Sequence, residues 1–185
     1  MSLPINGIIN VNKPPGITSM DVIRRIRRAS GLRRVGHSGT LDPLASGVMV
    51  VALGVAARLL EYITELDKSY AAKIELGKST DTYDGEGEIV NSESAVIVSD
   101  SDVRSAIQTF KGTQSQIPPM HSAIKVNGVK LYNLARKGIT IDRAPRQVNL
   151  YDAYISDFKS ADNDIKTLQV HCDRTVRYFN VIFLK

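Results

Sequence analysis

The sequence predicts an α+β fold, a mixed, mainly antiparallel sheet flanked by helices. Three observations lead there. Apolar residues recur with period 2 in some stretches and period 3.6 in others. These stretches follow one another without a regular strand–helix–strand beat. Asn127-Gly128 stands between Ile124-Lys125-Val126 and Val129-Lys130, the chemistry of a tight antiparallel hairpin. A length of 185 residues fits one domain, 1–185, with a sizeable core.

The elements follow in order. Gly7 to Val11 reads as a short strand, closed by Lys13-Pro14-Pro15-Gly16. Thr18 or Ser19 can cap a helix that runs to about Ser30, with Gly31 beyond its end. At 100° per residue, Val22, Ile23, Ile26 and Ala29 fall in one arc of about 120°. Gly36 to Gly47 is a loop of small and polar residues, and Gly47 to Leu53 reads as a buried strand from its apolar continuity. Val55 to Leu66 reads as a helix with Leu59, Leu60 and Ile63 inward. Ser69 to Leu76 alternates, with Tyr70, Ala72, Ile74 and Leu76 on one face. Thr80 to Glu88 is an acidic loop, and Asn91 to Asp102 a Ser- and Asp-rich connection. Ser99 and Asp102 have capping-box spacing before the stripe Val103, Ala106, Ile107, Phe110. After the hairpin, Leu131 to Lys137 forms a short helix ending at Gly138. Gln147 to Tyr154 and Ile165 to Cys172 are two final strands.

Composition narrows the function classes. The net charge of +5 favours a polyanionic partner. One cysteine, Cys172, cannot form an internal disulfide, and one Cys with three His predicts no metal centre. The longest apolar run, Val48 to Leu53, is too short to span a bilayer. No signal peptide is read at the start, so a cytoplasmic setting and no membrane association are expected.

Two stretches draw attention. Arg24, Arg25, Arg27, Arg28, Arg33 and Arg34 crowd one short segment, the first four on the arc opposite the apolar one. A solvated helix face is the plain reading. The run itself holds no acid, and the guanidinium forks onto phosphate oxygens, which tips the reading toward phosphate binding. In the loop, Pro43 fixes its own φ and biases Asp42 away from helical geometry, between Leu41 and Leu44. A single carboxylate held beside basic sequence suits chemistry; an Asx-turn aspartate that bonds only its own backbone is the competing reading. His37 in the same loop is ambiguous in the same way.

Several motifs fail. Gly77-Lys78-Ser79 resembles the end of a P-loop, but Ala72 stands where its first glycine belongs. The acidic loop lacks calcium-loop spacing. No Gly-x-Ser-x-Gly elbow occurs. Neither a metal nor a nucleotide cofactor is expected.

Gly36-His37-Ser38-Gly39-Thr40-Leu41-Asp42-Pro43-Leu44-Ala45-Ser46-Gly47 resembles the signature loop of TruB-type tRNA pseudouridine synthases. It is accompanied in order by Asn12-Lys13-Pro14-Pro15-Gly16, Asp67-Lys68-Ser69-Tyr70, Leu76-Gly77 with Thr80-Asp81-Thr82, Gln116 to Ala123, and Lys130 to Gly138. The resemblance implies the pseudouridine synthase fold and an isomerase of the tRNA T-loop uridine (position 55) that uses no cofactor or metal. It implies Asp42 as the catalytic residue and His37 as the residue that helps fill the stack vacated by the flipped base. It implies Tyr70 as the ring that stacks on that base; the competing reading, from the residues alone, is an ordinary core tyrosine on its strand's inward face. Lys13 resembles a structural neighbour of the site. A non-catalytic tRNA-binding or tRNA-folding protein derived from such a synthase is the alternative.

The likeness departs after Cys172. The family continues with Gly-Thr-Tyr and an arginine that pairs with the aspartate, then usually a small RNA-binding domain. Here Asp173-Arg174-Thr175-Val176-Arg177-Tyr178 follows, and the arginine's role is transferred to neither Arg177 nor Tyr178. The expectation is therefore the N-terminal part of a catalytic domain, without the C-terminal RNA-binding domain, and a poor or inactive enzyme as it stands. The β-prone run Phe179 to Leu184 is expected to favour self-association through a sheet edge.

Overall fold

The structure is a computed structural model in which residues 5–82, 85, 87–92, 98–118, 120, 122, 124–159 and 164–172 are described. The chain groups into two compact units that divide between Leu66 and Asp67.

The first unit holds three strands, β1 (Gly7–Lys13), β2 (Val35–His37) and β3 (Gly47–Leu53), and the helix α1 (Ser19–Ser30). The sheet order is β1-β3-β2, with both pairings antiparallel. Lys13 pairs with Gly47, and His37 with Val51. Residues 38–46 are thus the connection between two neighbouring strands, at the end of the sheet where β1 finishes. Helix α1 begins where the sequence places it. Thr18 is the N-cap: its hydroxyl accepts from the Asp21 amide at 3.1 Å, and the Asp21 carboxylate accepts from the Thr18 amide at 2.9 Å. Gly31 closes the helix in the left-handed region, φ 70°, where a side chain would be strained. Val22 and Ile23 are buried against Val35, Met49, Val51 and Leu53, with Val11, Ile17, Ile26, Leu32 and Leu41 packed around them. Each such side chain, fully buried, contributes about 1.5–3 kcal/mol.

Two expectations need correction in this unit. Ala29 is exposed, because it lies at the rim of the apolar arc, beside Arg25, in the last turn. The helix read over Val55 to Leu66 is a 3-10 stretch, Gly54–Leu59, followed by α2 (Leu60–Thr64). A 3-10 helix has 3.0 residues per turn, so its side chains rotate out of the α-helical register, and Leu59 is 48% exposed rather than inward.

The second unit is built on a four-stranded antiparallel sheet of order β4-β11-β10-β7. Its strands are β4 (Lys68–Glu75), β7 (Gly112–Gln116), β10 (Arg146–Lys159) and β11 (Asp164–Cys172). Two small pairs accompany it: β5 (Lys78–Thr80) with β6 (Ile89–Ser92), and β8 (Lys125–Val126) with β9 (Val129–Lys130). The latter is the Asn127-Gly128 hairpin, with φ positive at both turn residues, 50° and 80°. Helix α3 (Asp100–Gln108) has the Ser99–Asp102 capping box. It buries Val103 and Ile107 against Ile74, Leu76, Val148, Leu150, Ala153, Ile155, Leu168, Val170 and Cys172. Arg104 and Gln108 stitch it to β10 by donating to the Ile155 and Ala153 carbonyls at 2.9 and 3.0 Å. Helix α4 (Leu131–Ala135) stops two residues short of the expected Lys137.

Every strand pairing among the described residues is antiparallel. The α+β class and the mainly antiparallel sheet are borne out. The run Phe179 to Leu184, with Arg177 and Tyr178, lies outside the described residues.

The Thr18 hydroxyl, then its amide, hold the Asp21 carboxyl below its ordinary 3.8, with Arg24 adding a smaller pull. Its contribution to stability is therefore present above 3.8 and lost as pH falls through the lower folded value. Thermal melts should place the wild-type chain above Asp21→Ala at pH 6, with the gap closing toward pH about 2. A gap of equal size at both pH values contradicts the capping role.

Candidate active site

The Asp42 loop is organised by a buried ammonium. Lys13, the last residue of β1, is 0% exposed. A lysine goes inside only when its donors are satisfied. Here Nζ donates to the carbonyls of Pro14 at 3.0 Å, Ile17 at 2.8 Å and Pro43 at 3.2 Å. All three protons of the head group are accounted for. One side chain thus joins the end of β1, the approach to α1 and the residue that follows Asp42. The Gly16 amide reinforces the last link, donating to the Pro43 carbonyl at 2.8 Å. The reading of Lys13 as a neighbour that supports the site fits this geometry.

The other flank of Asp42 is fixed from α1. The Leu41 side chain packs on the core of the first unit. Its backbone exchanges two hydrogen bonds with the Ser19 hydroxyl, which donates to the Leu41 carbonyl at 2.8 Å and accepts from the Leu41 amide at 2.9 Å. The Ala45 amide donates to the Asp42 carbonyl at 3.1 Å, closing a turn with Pro43 at its second position, where a fixed φ suits it. Asp42 itself is exposed. The loop therefore carries Asp42, an exposed residue, on a backbone anchored on both sides. The expected hydrophobic pair around Asp42 is half right: Leu41 is anchored, whereas Leu44 is 51% exposed.

His37, half-buried at the end of β2, directs Nδ1 at the Gly39 carbonyl at 2.7 Å. A carbonyl only accepts, so the hydrogen sits on Nδ1, and this bond orients the ring. His37 is thus held by the same loop that carries Asp42.

The arginines divide into two groups. Arg24 pairs with Asp21 at 2.6 Å, one turn before the run. The expectation of an unbalanced run overlooked that acid. Arg27 donates to the Val35 carbonyl at 3.0 Å and ties α1 to β2. Arg25, Arg28, Arg33 and Arg34 are exposed, and among the described residues none of them has an ion pair.

Tyr70 lies in the second unit, on β4 opposite Val170. It is half-buried and packs against the core cluster there. Its inward face is what the alternation predicts. Beside it, burial pushes the Lys68 ammonium below its ordinary pKa, partly offset by Asp67. Among the described residues no group of three His, Cys, Asp or Glu side chains gathers as metal ligands would. No described helix is long and apolar enough to cross a membrane.

Reading the sequence alone missed Ser19 as more than a cap. A signal was present: Thr18 and Ser19 are adjacent hydroxyls, and one suffices to cap a helix.

Comparison with solved structures places the fold first. The chain superposes on a chain of a Cbf5–Nop10–Gar1 complex with TM-score 0.65 and 28% identity, covering 90% of this chain and 39% of that one. A chain from an H/ACA RNP bound to a substrate RNA containing 2′-deoxyuridine gives TM-score 0.62 at 22% identity, over 91% of this chain and 38% of that one, a likeness of fold alone. The family is narrower. Residues 27–176 match the N-terminal domain of the TruB family of pseudouridylate synthases, and the chain belongs to that family. tRNA pseudouridine synthase B of Dehalococcoides mccartyi is 46% identical over 91% of this chain and 55% of its own length. The Clostridium tetani protein of that name is 49% identical over 80% of this chain and 51% of its own. The chain spans about half the length of the curated relatives it matches.

Removing the Lys13 ammonium strands the Pro14 and Ile17 carbonyls and leaves that of Pro43 with the Gly16 amide alone. Lys13→Met should lower stability by about 1–3 kcal/mol in urea titration, the cost of unpaired buried acceptors. A loss under about 0.5 kcal/mol, the range of an ordinary surface change, refutes this role.

Proposed function

We propose that this chain is the catalytic N-terminal portion of a tRNA pseudouridine synthase, acting in the cytoplasm on the T-loop uridine. The observation that carries the proposal is the pinned, exposed Asp42 at the centre of the matched loop. In the reaction the N1–C1′ bond of the uridine breaks, the uracil turns, and C5 bonds to C1′. The proton lost from C5 is balanced by one gained at N1, so the product is an isomer and no redox partner enters. A carboxylate held against the nucleotide serves such a step as nucleophile or base. The loop supplies one without cofactor or metal.

The target base cannot react while stacked, so it must leave the T-loop. In this reading His37 occupies the vacated stack; its ring is oriented by the Gly39 carbonyl before RNA arrives. Tyr70 offers its ring to the flipped base. Arg25, Arg28, Arg33 and Arg34 take phosphates, while Arg24 and Arg27 hold the helix.

Two tests follow. Asp42→Asn keeps the shape and removes the ionised oxygen. It should abolish tritium release from C5-labelled T-loop RNA while leaving RNA binding within about tenfold, or about 1.4 kcal/mol. Turnover at the wild-type rate excludes Asp42 as the catalyst. For the arginines, Arg25 and Arg28 replaced together by Gln should weaken all RNAs alike. The dependence of log K on log salt should flatten by up to about 0.7 per lost contact on single-stranded RNA. An unchanged slope returns these side chains to a solvated surface.

A further inference from the structure

We propose that Ser19 is a positioning residue for Asp42, its hydroxyl fixing the backbone from which the carboxylate is presented. The inference rests on the reading of Asp42 as the catalyst. Ser19 is the first residue of α1 and is 3% exposed. Its hydroxyl is not spent on the helix, because Thr18 already supplies the cap. It instead reaches Leu41, 22 positions along the chain, and satisfies both the amide and the carbonyl of that residue, at 2.9 and 2.8 Å. A hydroxyl is suited to this, since it donates and accepts at once.

The consequence for Asp42 is geometric. Leu41 is held through its backbone by Ser19 and through its side chain by the core. Pro43 is held through its carbonyl by Lys13 and Gly16. Asp42 is the single residue between these anchors, so they set the backbone from which its carboxylate projects. Without the Ser19 hydroxyl the Leu41 peptide groups lose their partner and the segment that enters Asp42 can rotate. A displacement of about 1 Å at a reacting group costs on the order of a hundredfold in rate. The Lys13 side is untouched by such a change, so the fold and the arginine face of α1 should stay as they are.

The experiment compares the wild-type chain with Ser19→Ala, which removes both bonds, and Ser19→Cys, which keeps a donor and acceptor there, weaker and somewhat larger. Two quantities are read: steady-state kinetics on T-loop RNA, and amide exchange of the RNA-free protein. Ser19→Ala should lower kcat by about 10- to 100-fold with KM within about threefold, and Ser19→Cys should fall between it and wild type. The Leu41 amide should exchange about 5- to 10-fold faster in Ser19→Ala, the equivalent of one lost hydrogen bond, while Met49 and Val51 in β3 keep their protection. Unchanged exchange at Leu41 overturns the clamp. Faster exchange with unaltered kcat overturns its positioning role, as does a loss of protection spread through β3. If the wild-type chain forms no pseudouridine, the functional reading fails and takes the catalytic claim with it. Exchange at Leu41 separates that outcome from a failed clamp.

Discussion

The buried ammonium of Lys13 is the constraint on which the loop depends. Desolvating a charge is costly, and an interior lysine is tolerated only where acceptors replace its water. Three main-chain carbonyls do so, those of Pro14, Ile17 and Pro43. The requirement works in both directions. The ammonium needs the carbonyls, and the carbonyls of Pro14 and Ile17 find their donor in it. Neither the exit from β1 nor the return of the loop past Asp42 can move without exposing an unsatisfied group. Chemistry at a carboxylate requires such pre-set geometry, because a side chain that must be ordered on each encounter spends binding energy on the ordering.

Helix α1 joins two tasks in one rigid element. Its N-terminal turn meets the Asp42 loop through Ser19, and its outward face carries the exposed arginines. Arg27 and the paired Arg24 keep the helix in place against β2 and along its own first turn. Under the proposed function, RNA phosphates bound by Arg25 and Arg28 would be held by the same helix that anchors the Asp42 loop. This economy follows from chain order: β1, α1, β2 and the loop all lie within the first unit.

Local chemistry was legible in the sequence; distant pairing was not. Thr18 or Ser19 and Gly31 mark both ends of α1, and Asn127-Gly128 marks a hairpin, because the signals lie within a few residues of the structure they cause. The alternation from Tyr70 to Leu76 gave the inward face of β4 for the same reason. By contrast β7, Gly-Thr-Gln-Ser-Gln, has no apolar alternation and is a strand because β10 pairs with it. Strand β2 is three residues long and was absorbed into the loop that follows. Leu59 was misplaced because the apolar run does not distinguish 3.0 from 3.6 residues per turn. At the site, Asp42 and His37 were marked by their motif. The bonds that pin Asp42 link Lys13 with Pro43 and Ser19 with Leu41, 30 and 22 positions apart, and no local pattern announces them.

The proposed function requires an Asp42 loop that is already set in the RNA-free chain. Backbone nitrogen relaxation of the RNA-free chain measures this at the amides of Leu41, Asp42 and Ala45. The clamp requires order parameters near about 0.85 at all three, level with β3. Values below about 0.6 at these amides, beside a rigid β3, would show a loop that forms only on binding and would contradict the account.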